Sequence, residues 1–357
     1  MYSELKNIRI IGMAAAVSNT WDSVREISNE GEAIINKFIK TTGVEGRYSA
    51  SPRQCTSDFC VAAAEKILNE KEIDRKEIGV LVFVTQTSDY GIPATACLLQ
   101  DRLGLSKSCI AFDVNLGCSG FTYGMTILSS LLMCTQSKYG LLLAGDTSAR
   151  ELSQKKKAKI GHSAELLFGD SGTATLLEKT QSKDIIVSSS TDGSGYKAII
   201  SPYGRFRNPD RPETEVPGTR MDEIMVFNFA TSEAVDQIND YMQHTNTTPD
   251  DYDCLVLHQA NLMIMKRIGK KTAFPMEKVL ISLDKFANTS SSSIPITLVY
   301  KYGENQDNQT INALCCGFGV GLSWSTIALP IQVKDIYPLV HTDDFFVDGY
   351  PHDEEQL

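Results

Sequence analysis

Residues 78–84, IGVLVFV, form seven consecutive apolar residues without a polar break, followed at once by the polar run TQT. A membrane span takes about 20 such residues, so this run is far too short to cross one. It reads instead as a buried strand ending in a polar loop, and a strand covered on both faces belongs in a layered α/β protein. The neighbouring segments fit that arrangement. DFCVAAAEKILNE (58–70) has helical periodicity with Asp58 as a candidate N-cap. CIAFDVNLGC (109–118) is a second strand, SGFTYGMTILSSLLMC (119–134) a helix, and GLLLAGDTS (140–148) a third strand. At the N-terminus, Lys6 and Arg9 precede IIGMAAAV, where Ala14 and Ala16 have the A-x-A spacing of a secretory cleavage site. The same residues read equally as a first strand ending in a small-residue loop.

The second half of the chain repeats the pattern. YDCLVLHQ (252–259) is an apolar strand with a polar end, like 78–87. KVLISLDKFANTSSSSI (278–294) reads as strand, tight polar turn and helix start, like the stretch around residue 118. TINALCCGFGVGLSW (310–324) reads as a strand pair with a glycine turn. Thr85 and Cys118 are 33 residues apart, and His258 and Asn288 are 30 apart. The expectation is a duplicated α/β unit with a pseudo-twofold, divided as 1–178 and 179–330. Residues 202–220 (PYGRFRNPDRPETEVPGTR) read as a long loop or insertion and as an internal boundary, and 331–357 as an acidic tail. Carboxyl ends of strands are where α/β sheets place ligands, which draws attention to the matched polar ends.

Composition narrows the function. Of 357 residues, 42% are hydrophobic and 22% charged, and the net charge is −10. That balance argues against nucleic acid as a partner, because phosphate binding rests on Lys and Arg. The segment 331–357 holds seven acidic residues against Lys334, so residues 1–330 carry only −4. Nine cysteines occur with no C-x-x-C pair, which indicates neither a zinc nor a dithiol site and suits a cytoplasmic protein.

Three polar strand ends carry chemistry. Cys118 lies between a strand and a helix start in DVNLGCSGF, where the helix dipole is expected to lower a thiol pKa. Alone it reads equally as a reactive thiol or a packed core cysteine. Of five histidines only His258 closes an apolar strand, and Asn288 lies in the small-residue turn FANTSSSSIP. Together they offer a nucleophile and two neutral donors for a developing oxyanion.

At these residues the chain resembles the β-ketoacyl-acyl-carrier-protein synthase III enzymes of the thiolase-like condensing superfamily. The resemblance spans roughly residues 5–330 and is carried by AFDVNLGCSGFTYG, LFGDSGTATLLE (167–178), LHQANLMIM (257–265), FANTSSSSIP (286–295) and GFGVGLSW (317–324). It implies a thiolase-like αβαβα layered fold of two similar halves and a homodimer. Cys118 would be the acyl-carrying nucleophile, with His258 and Asn288 assisting decarboxylation of a malonyl thioester. The backbone N–H groups of Cys118 and Val320 would form a second oxyanion hole, and Ile92, Phe318 and Gly319 would contact substrate, Ile92 from the partner subunit. No permanently bound cofactor and no metal are implied; the substrates would be acyl and malonyl thioesters of acyl carrier protein, coenzyme A or both. Lys266, Arg267, Lys270 and Lys271 fall on one basic helix face and would dock the acidic carrier. The run KKKAK (155–159) reads as an exposed loop.

An asparagine at 288 rather than a carboxylate favours condensation driven by loss of CO₂ over condensation driven by proton abstraction. Two alternatives stay open on the sequence: acyl transfer without decarboxylation, and a non-catalytic partner subunit. The chain also departs from the family pattern. Where the family carries a Trp and an Arg that grip coenzyme A, NKFIKTTGV (36–44) offers Phe38 and Lys40, and Val320 and Ala287 stand where glycines are usual.

Overall fold

The computed structural model describes residues 1–149, 166–215 and 218–350. Among the described residues, two large sheets are built from strands β1 (Tyr2–Leu5), β2 (Ile8–Val17), β3 (Ile78–Val84), β4 (Ile110–Val114), β5 (Tyr139–Asp146), β6 (Ser171–Lys179), β7 (Ile185–Thr191), β8 (Cys254–Leu257), β9 (Thr310–Gly319), β10 (Ser323–Gln332) and β11 (Val340–His341). The first sheet has the order β11-β2-β6-β5-β3-β4 and the second β1-β7-β10-β9-β8. β5, β3 and β4 run parallel, as do β8 and β9, while β2/β6/β5 and β7/β10/β9 are antiparallel.

The two orders repeat one another: β2-β6-β5-β3-β4 answers β7-β10-β9-β8. The counterpart of β4 is reduced to a single bridge, Leu255 to Val279. The strand expected at the start of 278–294 is therefore only that bridge. A one-turn helix, Leu283–Phe286, follows it before the turn. The expected strand at 109–118 is likewise shorter and ends at Val114, which leaves Asn115–Ser119 free to form the elbow.

Among the described residues, seven principal helices pack on the sheets: α1 (Glu32–Thr42), α2 (Thr56–Glu70), α3 (Thr95–Arg102), α4 (Gly120–Met133), α5 (Glu223–Thr245), α6 (Leu262–Lys271) and α7 (Ser293–Tyr302). Side chains on β3 show how the layers arise, since successive residues of a strand point to opposite faces. Val80, Val82 and Val84 pack with Phe121, Met125 and Leu128 of α4 and with Ile294 and Leu298 of α7 between the sheets. Leu81 and Phe83 pack outward on Phe59, Ala63 and Ile67 of α2. On β8, Cys254 and Val256 face the central helices, and Leu255 and Leu257 face α5 and α6. Each such fully buried large apolar side chain contributes about 1.5–3 kcal/mol, and the result is an αβαβα stack. Ile8–Val17, the stretch with the A-x-A spacing, is a strand inside it.

Three local readings need correction. Asp58 is not the N-cap of α2; Cys55 is, and Asp58 sits three residues on, where its carboxylate accepts the Cys55 N–H at 2.7 Å. Residues 202–220 do not mark a boundary but form an excursion closed by pairing of Ile199–Ile200 with Arg220–Met221. The acidic segment is not outside the fold as far as residue 350. Ile331, Val333 and Ile336 are buried, β11 pairs with β2, Asp335 pairs with Lys71, and Asp343 accepts two bonds from Asn19. Apolar residues spaced among the acids anchor the segment, and the acids find donors on the first half.

Candidate active site

Cys118 stands on the elbow between β4 and α4. Two close approaches explain the glycines there. A Cβ on Gly120 would lie 2.4 Å from Val84 Cγ1 and 3.4 Å from Ser291 Cβ. One on Gly319 would lie 2.5 Å from Cys118 Cβ and 2.7 Å from its Sγ. Glycine at both places lets the elbow from one half touch the serine turn and the β9 end from the other.

The thiol keeps some exposed surface but is enclosed by protein, and desolvation raises its pKa to about 11. The charge of Asp146 pushes the same way, while the backbone of Val320 and of Cys118 itself hydrogen-bonds the sulfur and favours the thiolate. Desolvation thus works against the helix dipole at this sulfur.

His258 ends β8, with its N–H donating to Cys316 O at 2.9 Å and its ring edge-on to Phe318, centroids 5.6 Å apart. It is 2% exposed, and burial lowers its pKa to about 3, with a ring bond to the Ser290 backbone carbonyl offsetting only part. The imidazole is therefore neutral at physiological pH. Its Nδ1 is 2.8 Å from the Ser293 hydroxyl. With that hydroxyl donating, Nε2 carries the ring proton and is the donor left for a ligand.

Asn288 follows Ala287, whose φ of 55° and ψ of −153° are a glycine-type conformation held by an alanine. The Asn288 backbone is fixed on both sides: its N–H donates to Leu167 O at 2.9 Å, and its C=O accepts from Gly169 N at 3.1 Å. Its Oδ1 accepts the Ser290 N–H at 2.9 Å, which leaves Nδ2 as the side chain's donor group. A loop of LFGDSG thus carries the turn, which is why that motif accompanies the site.

Sequence reasoning missed Asp146, the last residue of β5. It is 1% exposed and accepts from Gln86 N, Ser291 Oγ and Ser291 N at 2.7, 2.9 and 3.3 Å. The available signal was an Asp closing a wholly apolar strand, GLLLAGD.

The other expected residues fall as follows. Phe318 is buried against His258, and Val320 lies in the β9–β10 turn. Ile92 is 88% exposed in the single chain, away from any core. On α6, Lys266, Arg267 and Lys270 are exposed, whereas Lys271 Nζ donates to Thr231 O of α5 at 2.6 Å. Among the described residues Lys266, Arg267 and Lys270 make no ion pair or hydrogen bond through their side chains, whereas Lys271, also exposed, is tied to α5. Phe38 is buried and packs in the outer core over α5 and α6, so it does not present a ring for stacking; Lys40 is exposed. KKKAK (155–159) lies outside the described residues.

Comparison with known proteins gives the family. Residues 112–195 match the family described as 3-Oxoacyl-[acyl-carrier-protein (ACP)] synthase III, and residues 242–331 its C-terminal part. Two proteins of Clostridium perfringens named Beta-ketoacyl-[acyl-carrier-protein] synthase III are 32% and 31% identical. They align over 83% and 92% of this chain and 91% and 100% of their own length. The crystal structure of a 3-oxoacyl-(acyl-carrier protein) synthase from Burkholderia xenovorans LB400 superposes with a TM-score of 0.89 at 30% identity, over 96% of this chain and 99% of that one. The priming β-ketosynthase of the R1128 polyketide pathway shares the fold, with a TM-score of 0.80 at 24% identity over 92% and 97% of the two chains. The chain belongs to the β-ketoacyl-acyl-carrier-protein synthase III family, a thiolase-fold group of acyl-transferring condensing enzymes.

Proposed function

We propose that this protein joins an acyl group held on Cys118 to a malonyl thioester with loss of CO₂, giving a β-ketoacyl thioester for fatty-acid or related acyl synthesis. The observation that supports this reading is the close approach of the β9 end to Cys118, where a Cβ on Gly319 would lie 2.7 Å from Sγ, next along the chain to the Val320 amide. Such an amide stabilises the oxyanion that forms when the sulfur adds to a thioester carbonyl.

In the first step the Cys118 sulfur bonds to the acyl carbon, the bond to the departing thiol breaks, and the cysteine proton ends on that thiol. In the second, the malonyl carboxylate leaves as CO₂ and its electron pair becomes an enolate. His258 and Asn288 serve as N–H donors to the enolate oxygen, which suits a histidine kept neutral by burial. The enolate carbon then bonds to the acyl carbonyl, Cys118 leaves as thiolate, and a proton from solvent restores the thiol. Neither step calls on a bound cofactor or metal.

Lys266, Arg267 and Lys270 form the docking face for acyl carrier protein, supported by their exposure on α6 immediately after His258. Phe318 and Gly319 shape the acyl site, and Ile92 closes it from the second protomer of a homodimer, a role that its exposure favours. Burial of Phe38 favours a carrier-bound over a coenzyme A-bound primer. The same reading places the enzyme in the cytoplasm and divides the chain into halves 1–178 and 179–330. No described helix is long and apolar enough to cross a membrane.

The test supplies acyl thioesters together with malonyl carrier protein labelled at its free carboxylate. Labelled CO₂ and a β-ketoacyl product in equal amounts support the reading. Acyl transfer to water or another acceptor without CO₂ release overturns it.

A further inference from the structure

We propose that Asp146 is a positioning residue for the condensation: its buried carboxylate ties the Asn288–Ser291 turn to the loop that leans on the Cys118 elbow. The proposal rests on the reading of Cys118 and Asn288 given above and deepens it.

The argument is geometric first. Asp146 lies at the end of β5, between the loop that follows β3 and the turn that follows Asn288. Its Oδ1 accepts from Gln86 N at 2.7 Å, Thr85 Oγ1 at 3.2 Å and Thr87 Oγ1 at 3.3 Å. Its Oδ2 accepts from Ser291 Oγ at 2.9 Å and Ser291 N at 3.3 Å. One carboxylate therefore gathers donors from both halves of the molecule. The turn it grips is the one that fixes Asn288, through the Ser290 N–H on Oδ1, and that touches the His258 ring. Gln86 in turn leans on the elbow: a Cβ on Gly117 would lie 2.2 Å from Gln86 Oε1. Both partners of the reaction are thus held from one buried group.

The charge has a second consequence. A buried carboxylate satisfied by five donors stays in place because those donors replace its water. Burial raises the pKa of Asp146 itself, opposed by the donors of Gln86, Ser290 and Ser291, and in its charged form it adds to the desolvation that raises the Cys118 and Cys60 thiols. A thiol held protonated resists oxidation and alkylation, and it loses its proton only as the thioester accepts the sulfur.

The test uses the full chain with Asp146→Asn and Ser291→Ala. Iodoacetamide modification of Cys118, followed peptide by peptide against pH, needs no substrate. In Asp146→Asn the rate profile is expected to move to lower pH, with alkylation at pH 8 about tenfold faster than wild type. Single-turnover acylation of Cys118 and discharge by malonyl carrier protein are then measured separately. Discharge is expected to slow at least tenfold more than acylation, because the asparagine's N–H groups oppose the Ser291 donors and loosen the turn. Ser291→Ala keeps the charge and is expected to slow discharge severalfold with the alkylation profile unmoved. Discharge and acylation slowed equally in both variants would overturn the positioning role, and an unshifted profile in Asp146→Asn would overturn the charge effect. Failure of wild type to take an acyl group would refute the condensing reading while the alkylation result still stands or falls alone.

Discussion

The side-chain oxygen of Asn288 accepts the backbone N–H of Ser290 at 2.9 Å. That bond fixes which end of the amide is spoken for: the acceptor is used, and the donor end remains for substrate. Asn288→Asp keeps the acceptor for Ser290 and removes both donors. It is expected to leave acylation of Cys118 within a fewfold of wild type and to slow malonyl discharge about 10²–10³-fold, the usual cost of a lost oxyanion donor. Rapid-quench measurement of the two half-reactions checks this, and equal slowing of both would count against the donor role.

Burial of His258 makes a stability prediction with a definite sign. Its folded-state pKa is about 3, below the ordinary 6.5, so the unfolded chain takes up a proton first as pH falls. The group is neutral in both states above 6.5, and stability is lost progressively from there down to about 3. Between pH 7.5 and 5.5 this single site removes about 1.4 kcal/mol. Urea unfolding of wild type and His258→Gln at the two pH values should differ in their pH dependence by about that amount. Parallel pH profiles would show that the ring is not kept neutral.

Gly319 has no room for a side chain beside the sulfur. Gly319→Ala is expected to push on Cys118 Cβ and Sγ, lower stability by about 1–3 kcal/mol, and cut acylation by more than tenfold. Thermal denaturation and intact-mass kinetics would measure the two effects, and an alanine variant acylated at the wild-type rate would refute the close approach.

The cations of α6 divide into two roles. Charge reversal at Lys266, Arg267 and Lys270 is expected to raise the KM for malonyl carrier protein about tenfold or more, with a salt dependence weaker than wild type, and to leave the melting temperature within about 2 °C. Lys271→Ala is expected to do the opposite, lowering stability by about 1 kcal/mol through loss of its bond to Thr231 O, with KM nearly unchanged. A KM effect as large at Lys271 as at the other three would contradict the division.

Truncation after Thr342 removes the bond from Phe346 N to Asp58, the stacking of Arg102 over the Phe346 ring, and the Tyr90–Asp348 bond. Asp58 and Arg102 form a buried pair on α2 and α3, so their shared outer cover is lost. The shortened chain is expected to melt several degrees lower, readable by calorimetry, and an unchanged melting temperature would show that the segment is only an appendage.

The fold was legible because its central strands are apolar without interruption and its two halves end those strands with matched polar residues, Thr85 with His258 and Cys118 with Asn288. Glycine and small-residue spacing around Cys118 and Asn288 marked the site for the same reason. What stayed hidden depends on three-dimensional company. The desolvation of the thiol follows from enclosure, which spacing cannot report. Asp146 looks like an ordinary strand-ending acid until the serine turn, 145 residues later, is folded onto it. The acidic tail misled because charge was read as exposure, while Val333, Ile336 and Tyr337 between the acids hold it to β2.

The most direct measurement of the central claim is the intact mass of the protein after exposure to an acyl thioester and then to malonyl carrier protein. The account predicts a single acyl adduct on wild type, absent from Cys118→Ala, that disappears on adding malonyl carrier protein as CO₂ and a β-ketoacyl thioester form in equal amounts. A stable adduct that malonyl carrier protein cannot discharge, or an adduct that persists in Cys118→Ala, would contradict it.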